Sequence, residues 1–220
     1  MRRPASTFLR SATGAAATEF ALVLPIALLF FFGIIDAGRY VWTMNEMEKA
    51  VQMGTRYAVA TRVVPGGLKS MDFTDLDCGS GGLQAGDTIC RDGLGTITCT
   101  KSGSTVTCSC TESALGSGTC PGDSSGDAAA FDDIVHRMRV VQPGIGPGNV
   151  TVSYSGSGIG YVGDPATDDD GNDLSDASPV VTVQIQSMSM RMMLLLGGAV
   201  QLPSFSYSQT LEDGDGTWAY

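Results

Sequence analysis

From Phe20 to Ile35 the chain runs for sixteen residues without a charge, F-A-L-V-L-P-I-A-L-L-F-F-F-G-I-I. Adding Ala15 to Glu19 gives 21 residues, interrupted only by Thr18 and Glu19. At helical rise this is roughly 30 Å, about the thickness of one hydrocarbon core. Pro25 removes a backbone donor inside the run and predicts a kink. Asp36, Arg39 and Tyr40 close the run on its far side. Beyond them Val41, Met44, Met47, Val51, Gly54 and Ala58 recur at threes and fours, with Glu46, Lys49, Arg56 and Arg62 largely elsewhere. That spacing predicts an amphipathic helix with a core-facing stripe, shallow at Gly54. Pro65-Gly66-Gly67 stops it. The expectation is one continuous helix from Ala15 to Arg62, its first half in lipid and its second half on a sheet.

Further along, the period changes from helical to alternating. Thr96-Ile97-Thr98-Cys99-Thr100 and Thr105-Val106-Thr107-Cys108-Ser109 flank Lys101 to Ser104, a predicted hairpin with Ile97, Cys99, Val106 and Cys108 on one face. In it Cys99 and Cys108 fall as diagonal neighbours. A short helix is predicted from Asp127 to Val141, with Phe131, Ile134, Val135 and Met138 sharing a face and Arg137 and Arg139 late, as the helix dipole prefers. Three alternating strands follow, Val150-Val152-Tyr154, Val181-Val183-Ile185 and Phe205-Tyr207. The parity shifts at Met188 and Met190, so the second of these ends or bulges near Ser187. Met192 to Val200 is apolar, yet nine residues with Gly197 and Gly198 are too short to span a bilayer. The fold class expected is α+β: a long N-terminal helix, transmembrane in its first part, packed on an antiparallel sheet of three to five strands with a disulfide-stapled hairpin insertion. The organisation expected is a basic leader (1–14), a transmembrane helix (15–36), its continuation (37–64), a Gly/Ser/Cys-rich insertion (65–126), and a helix with antiparallel sheet (127–220).

Charge divides the chain. Residues 1–62 hold seven Lys or Arg against four Asp or Glu, and residues 63–220 hold six against nineteen. So acidic a second part argues against nucleic acid, whose phosphates need a basic surface. The six cysteines, Cys78, Cys90, Cys99, Cys108, Cys110 and Cys120, are spaced by 12, 9, 9, 2 and 10. Structural zinc sites use short paired spacings, and the single histidine, His136, is remote, so disulfides in an oxidising compartment are the better reading. Six cysteines leave fifteen pairings open. Asp168, Asp170, Gly171 and Asp173, and Asp213-Gly-Asp215-Gly, have calcium-loop character but lack a bidentate Glu at the required spacing, and read as solvated acidic turns. No nucleophile elbow, phosphate loop or histidine partner for a thiol is present, so neither an enzyme nor a cofactor is expected.

Arg2, Arg3 and Arg10 precede the apolar run without an acidic partner, which predicts a cytoplasmic N-terminus and export of the remainder. The run is too long for a cleaved secretory signal, and its far end, Asp-Ala-Gly-Arg-Tyr, is a poor cleavage site. Glu19, a carboxylate at the edge of hydrocarbon, calls for an assigned partner or task. Gly14-Ala-Ala-Ala-Thr-Glu19-Phe20 resembles the prepilin-peptidase site of type IV pilin-like proteins, which are cut after the glycine so that Glu becomes the fifth mature residue. More closely, Gly14 through Ala60 resembles the TadE/TadG pseudopilins of tight-adherence (Flp/Tad) pilus systems. The features carrying this are small residues before Glu19-Phe20-Ala21, the Leu24-Pro25 pair, Gly33 with Asp36, Gly38-Arg39, and the Ala/Arg-rich helix that follows. Thr18 and Asp36 depart mildly from the family, which often has Val and Glu near those places. The resemblance implies cleavage between Gly14 and Ala15, with Glu19 meeting the terminal amine of a neighbouring subunit and setting register. It implies the membrane, a prepilin peptidase and other pilins or pseudopilins as partners. An inner-membrane protein whose C-terminal domain is periplasmic or extracellular, and a structural or assembly role, follow. The competing reading is a signal-anchored exported binding module or adhesin using the cysteine-rich region.

Overall fold

Helix α1 runs from Ala12 to Ala58, 47 residues with Pro25 inside it, in the computed structural model of the chain. The structure describes residues 12–68, 71–74, 76–79, 81–111, 120, 125–163, 176–193 and 198–212. It divides into two compact units, Met1–Thr43 with Ser189–Gln201, and Met44–Met188 with Leu202–Tyr220.

In the larger unit α1 ends four residues before the expected Arg62. The Ala60 N–H turns back to the Tyr57 carbonyl, tightening the last turn, and the Val59 carbonyl accepts from the Glu212 N–H at 2.9 Å. Ending early frees Val63 and Val64 to bury as extended chain. The expected stripe is buried at Met47, Val51, Gly54 and Ala58, joined by Ala50 and Thr55. Met44 is half-buried, and Val41, which belongs to the other unit, is exposed. Thr55, fully buried, donates to the Val51 carbonyl and lies 3.1 Å from the Tyr207 carbonyl, so helix and sheet meet through a satisfied polar group.

The sheet has five strands: β1 (Thr96–Ser102), β2 (Thr105–Thr111), β3 (Val150–Ser155), β4 (Val180–Ile185) and β7 (Phe205–Thr210), in the order β2-β1-β3-β4-β7 and antiparallel at every pairing. Residues directly opposite share a face. Cys108, Cys99, Val152, Val183 and Tyr207 therefore form one row across all five strands, and Cys110, Ile97, Tyr154, Val181 and Gln209 another. Val181, Val183 and Ile185 are fully buried, as their alternation predicts. Helix α2 (Ala128–Arg139) adds Phe131, Ile134, Val135 and Met138 to this core, and its N-cap Asp127 accepts from the Ala129 and Ala130 N–H groups. Met138 packs where α1 has Gly54: a Cβ there would lie 2.6 Å from Met138 Cγ. Tyr154 is fully buried and its hydroxyl accepts from the Val64 N–H at 3.0 Å. Burial pushes that phenol well above its ordinary value, and the Val64 hydrogen bond only partly opposes the shift.

The cysteine hairpin is continuous with the sheet. β1 lies between β2 and β3, and residues 65–126, set apart from sequence as an insertion, share the larger unit with helix and sheet. They bury Leu68, Met71, Phe73, Leu76, Leu83, Ile89, Leu94 and Ile97, enough apolar volume to extend the core. A two-residue turn with Gly103 at φ +60° closes the hairpin, so Ser102 opposes Thr105. This register makes Cys99 and Cys108 direct partners, 4.0 Å apart at Cα, rather than diagonal ones. Disulfides join Cys78 to Cys90, Cys99 to Cys108 and Cys110 to Cys120. β4 ends at Ile185 and Ser187 takes a φ of +58°, which turns the chain where the apolar parity shifts. His136 is exposed on α2. The acidic segments 168–173 and 213–215 lie outside the described residues.

In the smaller unit the first part of α1 is joined by a hairpin of β5 (Ser189–Arg191) and β6 (Ala199–Gln201), paired Met190 to Val200. Sequence alone left this apolar stretch without an element.

Candidate membrane anchor and assembly site

Between Phe20 and Ile35 twelve large apolar side chains are exposed, from 37% at Ile35 to 74% at Leu22. Removing that surface from water is worth on the order of 20 kcal/mol, too much for a water-facing helix to forgo. By length and composition α1 contains one segment able to cross a membrane. Leu29, Phe30, Gly33, Ile34 and Ala37 form an open apolar groove along it, and nothing lies within 4 Å of a Cβ built at Gly33 or Gly38.

Gly14, Ala15 and Glu19 all lie within α1, and Gly14 and Glu19 are exposed. Glu19 stands one turn beyond Ala15, at the border of the apolar run.

At the opposite border stands Asp36, buried to 4% exposure. Its Oδ1 accepts from the Met193 backbone N–H at 3.0 Å and lies 3.4 Å from Arg39 Nη1. About two helical turns further on, the Thr43 hydroxyl donates to Met190 Sδ at 3.6 Å. In the sequence Asp36 is the residue that closes the apolar run. What marked it out was its position directly after sixteen uncharged residues, together with the apolar stretch from Met192 that has no other assignment.

No cysteine is free, and among the described residues no group of three or more His, Cys, Asp or Glu gathers as a metal site. The family model for TadE-like protein matches residues 14–56. This N-terminal segment is TadE-like. The matched range takes in the Gly14–Ala15 bond, Glu19, the apolar run and Asp36. No curated protein and no solved structure matches the chain. The match covers 43 of the 220 residues, so the likeness is that of the N-terminal segment, whose helix is by length and composition able to cross a membrane.

Proposed function

We propose that the chain is a pseudopilin or minor pilin of a Tad-type pilus or related secretion machine, matured by a prepilin-type peptidase between Gly14 and Ala15. The observation that carries this is a TadE-like helix whose apolar surface is exposed and whose one acid before Asp36, Glu19, stands five residues after Gly14. Cleavage removes Arg2, Arg3 and Arg10 and leaves a cationic amine on Ala15, one turn from Glu19. The carboxylate then meets the amine of a neighbouring subunit. Such a buried pair does little for stability but fixes axial register between packed helices. Three basic residues before the span support a cytoplasmic N-terminus, and the three disulfides support an oxidising compartment for the remainder. Residues 1–14 are the leader, 15–36 the span, and residues from 37 onward the exported part.

Terminal sequencing of the mature protein tests the reading. A chain starting at Ala15 supports it, a start near Asp36 or later means signal-peptidase release, and a retained Met1 means a plain anchor. Gly14→Leu is expected to block processing. Glu19→Ala is expected to insert normally but to impair assembly, and normal pili from that strain would remove the register role alone.

A further inference from the structure

The TadE-like segment ends its apolar run at Ile35, and Asp36 follows with its carboxylate turned onto the backbone of a residue 157 positions away. β5 runs beside α1 in the opposite direction: Met190 meets Thr43, and three residues later Met193 meets Asp36. Seven helical residues rise about 10 Å and three extended residues span about 10 Å, so the two contacts are commensurate. The chain therefore descends along α1 until Met193 is level with the end of the apolar run. It returns at Gly198, whose carbonyl accepts from the Met192 N–H at 2.9 Å.

At that level Met193 is half exposed, and Met192 and Met193 open a run of five consecutive apolar residues in the sequence. Backbone near hydrocarbon must have its donors satisfied. Here Met192 N–H has Gly198, Met193 N–H has Asp36, and β5 pairs with β6. Arg191, exposed two residues above Met193, is placed to snorkel toward lipid phosphates.

We infer that the β5–β6 hairpin is a second membrane contact, with Met192 and Met193 resting in the interfacial layer of the bilayer beside α1 and held at that depth by Asp36. The occupant of this apolar surface is lipid, because it is continuous with a helix face that only a bilayer or another apolar helix covers. Asp36 acts as a positioning residue, its burial explained by the backbone donor it receives. The inference rests on α1 being a membrane anchor, as proposed above, and goes beyond it in giving the C-terminal half its own lipid contact.

The test uses the full chain in vesicles of phosphatidylethanolamine and phosphatidylglycerol carrying spin-labelled acyl chains. All six native cysteines are in disulfides, so Met193→Cys, Phe30→Cys and Ser206→Cys each present a single thiol for an environment-sensitive fluorophore. The label at 193 is expected to be quenched severalfold more strongly than the label at 206, best by a spin label near the headgroup, and that at 30 best by one deep in the acyl chain. Quenching at 30 without quenching at 193 overturns the hairpin contact and leaves the anchor standing, while quenching at neither overturns both. Asp36→Ala in the Met193→Cys background is expected to lose most of the quenching at 193 while the protein remains membrane-bound. Undiminished quenching there would overturn the part assigned to Asp36.

Discussion

Replacing Tyr154 by Phe changes one atom at the centre of the larger unit. The ring stays, so its burial is nearly unaffected, but the Val64 N–H loses the acceptor it holds at 3.0 Å in a fully buried setting. An abandoned buried donor costs about 1–3 kcal/mol, a visible share of the roughly 5–15 kcal/mol that holds a domain together. The hydroxyl also carries a pH signature. Its acid dissociation is raised in the folded protein, chiefly by burial. Below about pH 10 the phenol is protonated whether folded or unfolded and adds no pH dependence; above it the unfolded chain releases the proton first. Stability is thus intact on the acid side and lost as pH rises, by about 1.4 kcal/mol per unit for this one group. Tyr154→Phe lacks that loss. Urea titrations of the full chain in micelles, followed by near-ultraviolet dichroism, should show a deficit at pH 7 that narrows above pH 10 and closes about one to two units higher. Other titrating groups are common to both proteins and drop out of the difference. A deficit that stays constant to pH 11, or none at pH 7, would refute the assignment of Tyr154 as a buried acceptor.

Val183, fully buried in the middle of the sheet, becomes an unpaired internal charge as Val183→Asp, with an expected loss of several kcal/mol; an unchanged melting temperature would contradict the core. Gly54→Val sets a side chain against Met138 and should cost about 1–3 kcal/mol despite better helix propensity, with partial rescue in the Gly54→Val, Met138→Ala pair; a destabilisation that the second change only deepens would place the two residues apart. Thiol titration of the denatured, unreduced protein should find none, and peptide mapping should give Cys78–Cys90, Cys99–Cys108 and Cys110–Cys120; a different partner for Cys99 or Cys108 would revise the β1–β2 register.

What sequence could disclose depended on how locally each feature is encoded. Val181, Val183 and Ile185 alternate against polar neighbours because only one face of β4 meets the core, and that is readable within six residues. α2 likewise carries its cap, its apolar face and its basic end within one segment. The place of β1 was not readable in this way. Its partner β3 is more than fifty residues on, and cysteines at its buried positions look like staples rather than core. β5 and β6 have three residues each, too few for a period to declare itself. Of the candidate site, the roles proposed for Gly14 and Glu19 rest on a spacing along the chain that the sequence itself displays. The partner of Asp36 was not, since the group it receives is a main-chain N–H and leaves no mark in residue identity.

Each disulfide joins a cysteine to the next one along the chain, closing separations of 12, 9 and 10 residues. Linkages of this size each limit the freedom of the unfolded chain by roughly 2–4 kcal/mol. Their order has a consequence for biogenesis. An exported part that emerges in order from residue 37 onward never presents an early cysteine that must wait past later ones for its mate. An oxidase that couples thiols strictly in order of arrival would make all three native bonds, and the protein should reach its oxidised state without an isomerase.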